Sequence, residues 1–445
     1  MKKIVAIIIL KYLRLLAKIQ LRKINPIIVG ITGSAGKTST RIAVSAILRT
    51  KGKVKESEKA NSESGIPLNI LGLEMHTFSW VEWLKILLLA PMPILFNWEK
   101  YDYYVVEMGI DSPDPPKNMS YLLTILRPHI GIVLNAGLVH ASYFDHLVQD
   151  KHPARRNKKI TNLIAQEKGK LITSMPNKSF VGILNSDQKE IASLARFTKA
   201  RVITFGIHGK PDLKILTSPR QKRDSAVFRY SYLTALVKVE IKNLMLESNY
   251  AYTFGAALCV GVALGIPPRK SAKCLSESFS PPPGRWNIFQ GKKGATIIDS
   301  SYNASPETMQ SALKNLSLLA PKKQRLAVVG DMRELGTESK EAHKSLASQI
   351  EKHAHTALLF GEETAKYTLP ILLRKGFPVA HYTDIKSLNR ALLPQLTPRT
   401  WVLVKGSQNT IFLERVVEKL LKNKNDAEKL CRRGKYWDRV RERTK

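Results

Sequence analysis

Residues 30–39 read Gly-Ile-Thr-Gly-Ser-Ala-Gly-Lys-Thr-Ser, between a short apolar run at residues 27–31 and a helical pattern at residues 38–48. Glycines in a strand-to-helix turn let backbone N–H groups point inward, and the helix N-terminus favours anions. Lys37 can then reach the β- and γ-phosphates of a nucleotide, and Thr38 can ligate magnesium. The stretch predicts a nucleotide phosphate loop in an α/β domain.

The loop departs from the generic phosphate-loop pattern in one place. Ile31 stands five residues before Gly36, where the generic pattern has glycine. A chance glycine turn is the alternative, and the strand-to-helix setting of Gly-Lys-Thr argues against it. The residues expected to contact the phosphates are Gly33, Ser34, Ala35, Gly36, Lys37, Thr38 and Ser39.

Short apolar runs alternate with helical patterns downstream of the loop, at residues 104–107, 130–134, 181–184 and 202–205. Such runs are typical of a parallel sheet covered by helices on both faces. Residues 228–241 alternate instead and predict an antiparallel ribbon, and residues 252–264 predict a helix of small residues.

Three prolines and a glycine at residues 281–284 mark the best domain boundary. A second α/β series follows, with strands expected at residues 295–298, 326–329, 357–360 and 401–404. Its helices are expected at residues 306–319, 340–352, 362–373 and 408–421. The predicted architecture is a basic amphipathic helix (1–26), a P-loop central domain with a parallel sheet (27–280), a C-terminal Rossmann-like α/β domain (281–421) and a charged, frayed tail (422–445).

The chain is strongly basic, with a formal net charge of +35 over 445 residues. This charge attracts nucleotides, sugar phosphates, nucleic acid or an acidic membrane, and a generally basic proteome explains it equally well. No nucleic-acid partner is expected, because no clustered basic and aromatic motif is present. Three scattered cysteines predict a reducing, cytoplasmic location with neither a disulfide framework nor a zinc site.

Residues 1–24 form a basic amphipathic pattern without a signal-peptide cleavage site, and the apolar run at residues 4–10 is too short to span a bilayer. Its basic face consists of Lys11, Arg14, Lys18 and Arg22. Two alternatives remain open. The helix lies on an anionic membrane, peripherally at the inner face, or it docks on the protein's own core.

Residues 83–96 are apolar but interrupted by Pro91 and Pro93. The segment is too short and too kinked for a transmembrane helix. It is interpreted as a buried helix with a loop, or as part of a lipid-facing patch.

The loop variant Gly-x-Thr-Gly-x-x-Gly-Lys-Thr resembles that of the Mur ligases, the family that builds the peptide stem of peptidoglycan, and of the related folylpolyglutamate synthases. Further motifs follow in the family's order over residues 27–421. They lie at residues 61–67 (NSESGIP), 105–109 (VVEMG), 135–140 (NAGLVH), 167–170 (EKGK), 185–187 (NSD), 283–285 (PGR), 299–304 (DSSYNA), 330–336 (GDMRELG) and 404–407 (VKGS). The C-terminal motifs are most similar to the D-alanyl-D-alanine-adding branch.

This resemblance implies an ATP-dependent ligase that forms an amide bond through an acyl phosphate. The implied catalytic residues are Lys37, Glu107, His140 and Lys168. Thr38, Glu107, His140 and Lys168 are implied to act at magnesium, with Lys168 carbamylated so that it offers oxygen to the metal. The implied partners are a nucleotide-sugar peptide and a small amino acid or dipeptide.

The resemblance also implies that the second domain contributes to nucleotide binding. Arg285 would approach the phosphates, and Asp299, Tyr302 and Asn303 would contact ribose and adenine. A helix N-cap turn is the structural alternative for residues 299–303, and both can hold. Lys405 and Ser407 would help to hold the amino substrate.

Several departures from the family pattern bear on the substrate. Only about 26 residues precede the phosphate-loop strand, so the family's N-terminal substrate domain is not expected. Ser62 replaces an asparagine, Asn249-Tyr250 replaces His-Asn, and residues 148–160 look inserted. The alternatives are a Mur-type ligase for a different, perhaps lipid-linked carboxylate, a nucleic-acid-stimulated ATPase and a non-catalytic binding protein. The intact Lys37, Thr38, Glu107 and His140 argue against the last.

Overall fold

The computed structural model describes residues 2–442 apart from 59, 76–78, 98, 139–140, 151, 217–219, 223–224, 243–248 and 409–410. Within these residues the chain forms two sheets, and helices pack against both.

The first sheet is parallel in its centre and antiparallel at one end. Its strands are β1 (Ile27–Thr32), β2 (Val54–Glu56), β3 (Tyr103–Glu107), β4 (Ile130–Val133), β5 (Val181–Asn185), β6 (Arg201–Gly206), β7 (Leu213–Ile215), β8 (Arg220–Lys222), β9 (Ser225–Tyr232) and β10 (Ala235–Lys242). They lie in the order β10-β9-β7-β6-β5-β4-β1-β3-β2, with β8 paired to β9. The predicted parallel sheet is confirmed, and the ribbon predicted at residues 228–241 is the antiparallel pair β9–β10.

Helices cover both faces of this sheet. They are α1 (Lys2–Ile24), α2 (Lys37–Leu48), α3 (Gly65–Leu71), α4 (Trp80–Leu89), α5 (Met92–Phe96), α6 (Met119–Leu123), α7 (Pro153–Thr173), α8 (Lys189–Ala192), α9 (Tyr250–Ala263) and α10 (Pro268–Ser278). Because side chains alternate along a strand, β1 contributes side chains to the hydrophobic cores on both faces of the sheet. Ile31 packs in the core that contains Ile47 of α2, and Ile28 packs in the core that contains Ile164 of α7.

The second sheet is parallel except at one edge. Its strands are β11 (Asn287–Gln290), β12 (Thr296–Ser300), β13 (Arg325–Gly330), β14 (Thr356–Phe360), β15 (Val379–Tyr382) and β16 (Trp401–Lys405). They lie in the order β11-β12-β16-β13-β14-β15, and β11 runs antiparallel to β12. The accompanying helices are α11 (Pro306–Leu319), α12 (Ser339–His353), α13 (Leu369–Arg374), α14 (Ile385–Leu392), α15 (Glu414–Leu420) and α16 (Lys435–Glu442).

The second half of α1 docks on the protein, as one of the two alternatives for this helix predicts. Leu13, Ala17 and Leu21 are buried, and Leu13 packs with residues of α3 and α4 in a small core. The Arg14 guanidinium donates to the Thr124 hydroxyl at 2.9 Å, so this basic side chain of α1 contacts the protein itself. No helix in the described part of the chain is long and apolar enough to cross a membrane.

Three sequence expectations differ from the structure. The buried helix with a loop expected at residues 83–96 is instead two helices, and α4 buries Ile86 alone, because one side of the pair covers a small core shared with α1; the alternative of a lipid-facing patch stays a prediction. Among residues 408–421, α15 begins only at Glu414. Residues 422–442 are not a frayed tail, because Leu430, Cys431 and Arg432 are buried against the second domain.

Candidate active site

The phosphate loop lies between β1 and α2, as predicted. Gly36, with φ of 86°, precedes α2 in the left-handed region, which favours glycine because it has no Cβ. No side chain caps this helix end. The Lys37 Nζ donates to the Gly33 carbonyl at 2.8 Å, so the ammonium group lies over the loop where phosphates would bind.

Asn135, two residues after the end of β4, holds the loop in place. Its Oδ1 accepts from the Ala35 N–H at 2.8 Å, and its Nδ2 donates to the Ala35 carbonyl at 3.1 Å. The Ser34 hydroxyl accepts from the Gly137 N–H at 2.9 Å. The NAGLVH motif therefore positions the phosphate loop through its first residues.

Glu107 ends β3 beside the start of α2 and is only 6% exposed. The Thr38 hydroxyl donates to Glu107 Oε2 at 3.0 Å, and Arg41 Nε donates to Glu107 Oε1 at 2.9 Å. The neighbouring strands β1 and β3 end together, with Ile31 opposite Glu107. This register brings Thr38 and Glu107 together from positions 69 residues apart in the chain.

Arg41 is a site residue that the sequence reasoning did not find. It is buried, and it also forms an ion pair with Glu56. The available signal was its spacing of three residues from Thr38, which places both on one face of α2. Arg41 balances the charge of two carboxylates in a region where an unpaired charge is costly.

The described residues suit a magnesium ion at Thr38 and Glu107. A hydroxyl and a carboxylate oxygen 3.0 Å apart are hard donors of the kind that Mg²⁺ prefers. Among the residues that the structure describes, no group of three or more His, Cys, Asp or Glu side chains could hold a metal ion. His140, the other predicted ligand, lies outside the described residues.

Lys168 lies in α7 at the same site and is 3% exposed. Burial and, to a smaller extent, the positive charge of Lys37 lower the pKa of its ammonium group to about 7, although Asp111 and Glu167 oppose the shift. Burial also lowers the pKa of Lys37, with Arg285 acting in the same direction and Glu107 and Asp111 opposing. Lys37 thus interacts electrostatically with three other predicted site residues, which are Glu107, Lys168 and Arg285.

Arg285 and Tyr302 form the face of the second domain that approaches the loop. The Arg285 guanidinium lies 4.4 Å from the centre of the Tyr302 ring. The Tyr250 hydroxyl donates to the Arg285 carbonyl at 3.0 Å and contacts the Ser39 hydroxyl at 3.5 Å, which links the phosphate helix to this face. Tyr250, one of the departures from the family pattern, therefore joins the two halves of the site.

Asp299 and Asn303 shape the turn that carries Tyr302. Asp299 is fully buried, and its Oδ1 accepts from the Ser301 N–H at 3.0 Å and the Ser301 hydroxyl at 2.6 Å. Burial raises the pKa of Asp299, although its hydrogen bonds with Ser301 oppose the shift. Asn303 Oδ1 accepts from the Ser407 hydroxyl at 2.9 Å. Lys405 Nζ donates to the Asn303 carbonyl at 2.9 Å, so Lys405 and Ser407 both support the turn.

Arg432, from the segment predicted to be frayed, is a second residue that the sequence reasoning missed. Its guanidinium lies 5.1 Å from the Tyr302 ring centre, on which Arg285 also stacks, and it donates to the Tyr302 carbonyl. It also forms an ion pair with Glu414 at 2.9 Å, with side-chain exposures of 4% and 0%. No local pattern in the basic C-terminal sequence distinguishes this arginine from its neighbours.

Comparison with protein families identifies this combination of domains. The model for the Mur ligase middle domain matches residues 31–257, and the model for the Mur ligase glutamate ligase domain matches residues 284–408. The chain belongs to the Mur ligase family. The resemblance predicted from the motifs is therefore confirmed.

Curated relatives in this family are named UDP-N-acetylmuramoyl-tripeptide–D-alanyl-D-alanine ligase. The protein from Mycobacterium bovis is 26% identical over 321 residues, which cover 71% of this chain and 54% of the relative. The protein from Synechocystis is 25% identical over 398 residues, covering 88% and 74% of the two chains. The chain thus spans about half the length of the mycobacterial relative that it matches.

Solved structures of Mur ligases share the fold. The MurF ligase from Thermotoga maritima in complex with ADP has a TM-score of 0.72 and 22% identity, covering 98% of this chain and 85% of that one. A MurF from Acinetobacter baumannii has a TM-score of 0.71 and 21% identity, covering 92% and 80%. These likenesses support the α/β fold class.

Proposed function

We propose that this chain is an ATP-dependent ligase that joins a peptide carboxylate to D-alanyl-D-alanine, with a UDP-muramyl tripeptide as the acceptor. The observation that carries the proposal is the convergence of Lys37, Thr38 and Glu107 at the phosphate loop. Arg285 and Tyr302 of the second domain face the same loop. The names of the curated relatives and the ADP complex of a structural neighbour agree with this substrate set.

In this proposal the loop amides and Lys37 bind the ATP phosphates, and Arg285 approaches them from the second domain. Tyr302, whose ring contacts Arg285 and Arg432, is proposed to line the adenine site. Thr38 and Glu107 hold magnesium, which neutralises developing phosphate charge when it is bound. Positioning and charge neutralisation account for most of the acceleration of such a transfer.

The chemistry is written as two balanced steps. A carboxylate oxygen of the acceptor attacks the γ-phosphorus of ATP, which gives an acyl phosphate and ADP. The amine of the second substrate then attacks the acyl carbon, and inorganic phosphate and a proton leave as the amide forms. Phosphorylation is needed because a free carboxylate is a poor electrophile.

Lys168 is proposed to act as a carbamate. Its neutral amine adds to carbon dioxide and loses a proton, which replaces a cation by an oxygen-donor anion. A pKa of about 7 supports this reaction, because roughly half of the amine is unprotonated at neutral pH. The resulting oxygens are hard donors that suit magnesium. His140 remains a predicted ligand of the same metal site.

A second candidate keeps the chemistry and changes the acceptor. Ser62, which departs from the family pattern, accepts from the Gly65 N–H at 3.2 Å and so supports the start of α3. Tyr250, another departure, donates its hydroxyl hydrogen bond to the Arg285 carbonyl. These changes favour testing other carboxylates, including lipid-linked ones, beside the UDP-muramyl tripeptide.

The test is ADP release by the full chain over a matrix of acceptors and amines. UDP-muramyl peptides of different lengths are paired with D-Ala-D-Ala and with single amino acids, and double-stranded DNA and RNA are included as stimulants. The proposal expects release that needs both the tripeptide and D-Ala-D-Ala. Release with another carboxylate would favour the second candidate. Release stimulated by nucleic acid alone would contradict both.

A further inference from the structure

The first turns of α1 are apolar on every side and exposed. Ile4, Val5, Ile7 and Ile8 are 64%, 51%, 49% and 60% exposed. Ala6 is exposed as well, and because successive helical residues are about 100° apart, residues 4–8 together surround the helix axis. This end of α1 therefore extends from the protein as an apolar helix, whereas residues 13–21 dock on the core.

Two further helices beside α1 expose apolar side chains. On α4, Trp80 is 77% and Leu88 is 68% exposed, although Ile86 on its opposite face is buried. On α5, Leu95 and Phe96 are 61% and 72% exposed. A helix that is apolar on its outer and inner faces is typical of full burial, in a large core or in lipid.

These exposed residues are concentrated in one part of the chain. Of the 23 large apolar side chains exposed among the described residues, 14 belong to α1, α4 and α5. We call them the three-helix surface: Ile4, Val5, Ile7, Ile8, Leu15, Ile19, Trp80, Val81, Leu84, Leu88, Leu89, Met92, Leu95 and Phe96. Such a concentration marks an interaction site, because scattered single residues are what an ordinary surface shows.

The three helices are held together beneath this surface. Leu13 and Leu16 of α1 share a small core with Ile86 and Ala90. The Tyr12 hydroxyl donates to the Leu87 carbonyl at 3.2 Å. Lys23 Nζ donates to the Ile94 and Asn97 carbonyls, at 2.8 and 3.0 Å. The outward residues are thus presented by a packed unit.

The charge around the surface is positive. Lys11, Lys18 and Arg22 of α1 are exposed, and residues 1–24 contain no Asp or Glu, whereas on α4 the exposed Lys85 is offset by Glu82. An apolar centre with basic residues beside it complements a bilayer that carries anionic lipid.

We propose that the three-helix surface docks on an anionic membrane, with the exposed residues 4–8 of α1 inserted among the lipids. Five helical residues extend only about 7 Å along the helix axis, well short of a span of about 30 Å, so the segment would lie at the interface and not cross the bilayer. Docking on a second copy of this chain is disfavoured, because each copy carries a formal charge of +35. Docking and ligase activity are separate properties of the chain.

Flotation with vesicles tests the proposal on the full-length protein. Vesicles of phosphatidylcholine with and without 30% phosphatidylglycerol serve as the probe. The protein is expected to float with the anionic vesicles at low salt. The triple variant Ile4→Ser/Ile7→Ser/Ile8→Ser is expected to partition at least roughly tenfold less. Removal of α1 is not used, because it would strip Leu13 and Leu21 from the core.

The β9–β10 hairpin offers a matched control. Leu233 and Leu236 are 81% and 69% exposed there, so Leu233→Ser/Leu236→Ser removes similar apolar area away from the three-helix surface. This variant is expected to float like the wild type. Circular dichroism of both variants verifies the fold. Equal flotation of the triple variant and the wild type, or no flotation by either, would overturn the proposal.

A charge variant tests the choice of an anionic surface. Lys11→Glu/Lys18→Glu is expected to weaken partitioning by more than roughly fivefold per residue. The preference of the wild-type protein for anionic vesicles is expected to disappear at high salt. Salt-independent binding to both kinds of vesicle would overturn the anionic requirement. Light scattering measures the oligomeric state and so tests docking on a second copy of the chain. A wild-type dimer that the triple variant dissociates, together with no flotation, would overturn the membrane proposal.

Discussion

At the residue scale, the site depends on buried charges that balance one another. Glu107 accepts hydrogen bonds from Thr38 and Arg41, and Arg41 also forms an ion pair with Glu56. A carboxylate held in this way is prepared for a metal ion, because its second oxygen is already oriented by an arginine. Sequence reasoning identified Glu107 from its place at a strand end, but the arginine behind it emerged only from the packing.

Glu107→Gln is expected to keep the fold and to lower ADP release by about 10²–10³-fold, and Lys37→Ala is expected to do the same. Lys37→Ala removes a cation that binds the phosphates, and Glu107→Gln removes the negative charge proposed to hold the magnesium that neutralises them. Turnover and circular dichroism are measured together. Glu99→Gln, which changes an exposed carboxylate paired with Lys55, is the control. A folded Glu107→Gln protein with near-normal turnover would contradict the site assignment.

Lys168→Met is expected to abolish activity while raising the thermal stability of metal-free protein in carbon-dioxide-free buffer. The pKa of Lys168 is about 7 in the folded protein and 10.5 as its reference value. Between these values the unfolded chain binds the proton that the folded chain has released, so wild-type stability rises with pH. The gain in melting temperature should therefore shrink from pH 7 towards pH 10. A variant that is less stable than wild type at pH 7 would contradict this account.

Carbamylation makes a separate prediction for the same residue. Lys168→Ala should regain part of its activity with short carboxylic acids, because the missing group is an anion at the metal. Lys168→Arg should stay inactive, since a guanidinium cannot form the carbamate. Full activity of Lys168→Arg would rule out the carbamate.

At the element scale, sequence patterns predicted strands well and surface helices less well. The apolar runs that became β1, β3, β4 and β5 are buried on both faces, so composition alone identified them. The short strands β2, β7, β8, β11 and β15 were missed, because three or four residues carry too little pattern. The segment 422–442 was misjudged because its burial depends on contacts with a turn more than 100 residues earlier, through Arg432 and Tyr302.

Arg432→Met is expected to lower the free energy of unfolding by about 3–5 kcal/mol and to weaken nucleotide binding. It leaves Glu414 as a buried, unpaired carboxylate and removes one of two cations from the Tyr302 ring. Denaturant unfolding and titration with ADP measure the two effects. The neighbouring pair Arg433–Glu418 is more exposed, at 26% and 39%. Arg433→Met should therefore cost at most about 1 kcal/mol, and equal effects of the two variants would contradict this role.

The docked half of α1 offers a comparison between neighbours. Leu13 is 0% and Leu15 is 58% exposed. Leu13→Ala should lower the free energy of unfolding by about 2–5 kcal/mol, because it leaves a cavity under the helix. Leu15→Ala should change it by less than about 0.5 kcal/mol. Similar values for the two variants in denaturant unfolding would mean that α1 does not dock as described.

At the scale of the whole molecule, two α/β units meet around the phosphate loop. Tyr250 contacts Arg285, Asn249 Nδ2 donates to the Ser311 hydroxyl at 3.0 Å, and Asn157 Nδ2 donates to Glu338 at 2.8 Å. The sequence predicted both units and the order of their motifs. It could not predict these cross-contacts, because no local pattern shows which distant residue each of these six residues contacts.

The central claim is that phosphate from ATP is transferred to a substrate carboxylate before the amide forms. The most direct measurement uses a UDP-muramyl tripeptide labelled with ¹⁸O in its terminal carboxylate, together with ATP and D-Ala-D-Ala. If the acceptor is phosphorylated, one labelled oxygen per amide formed must appear in inorganic phosphate. Unlabelled phosphate in a reaction that forms the amide, or ATP hydrolysis that proceeds equally without the tripeptide, would contradict the account.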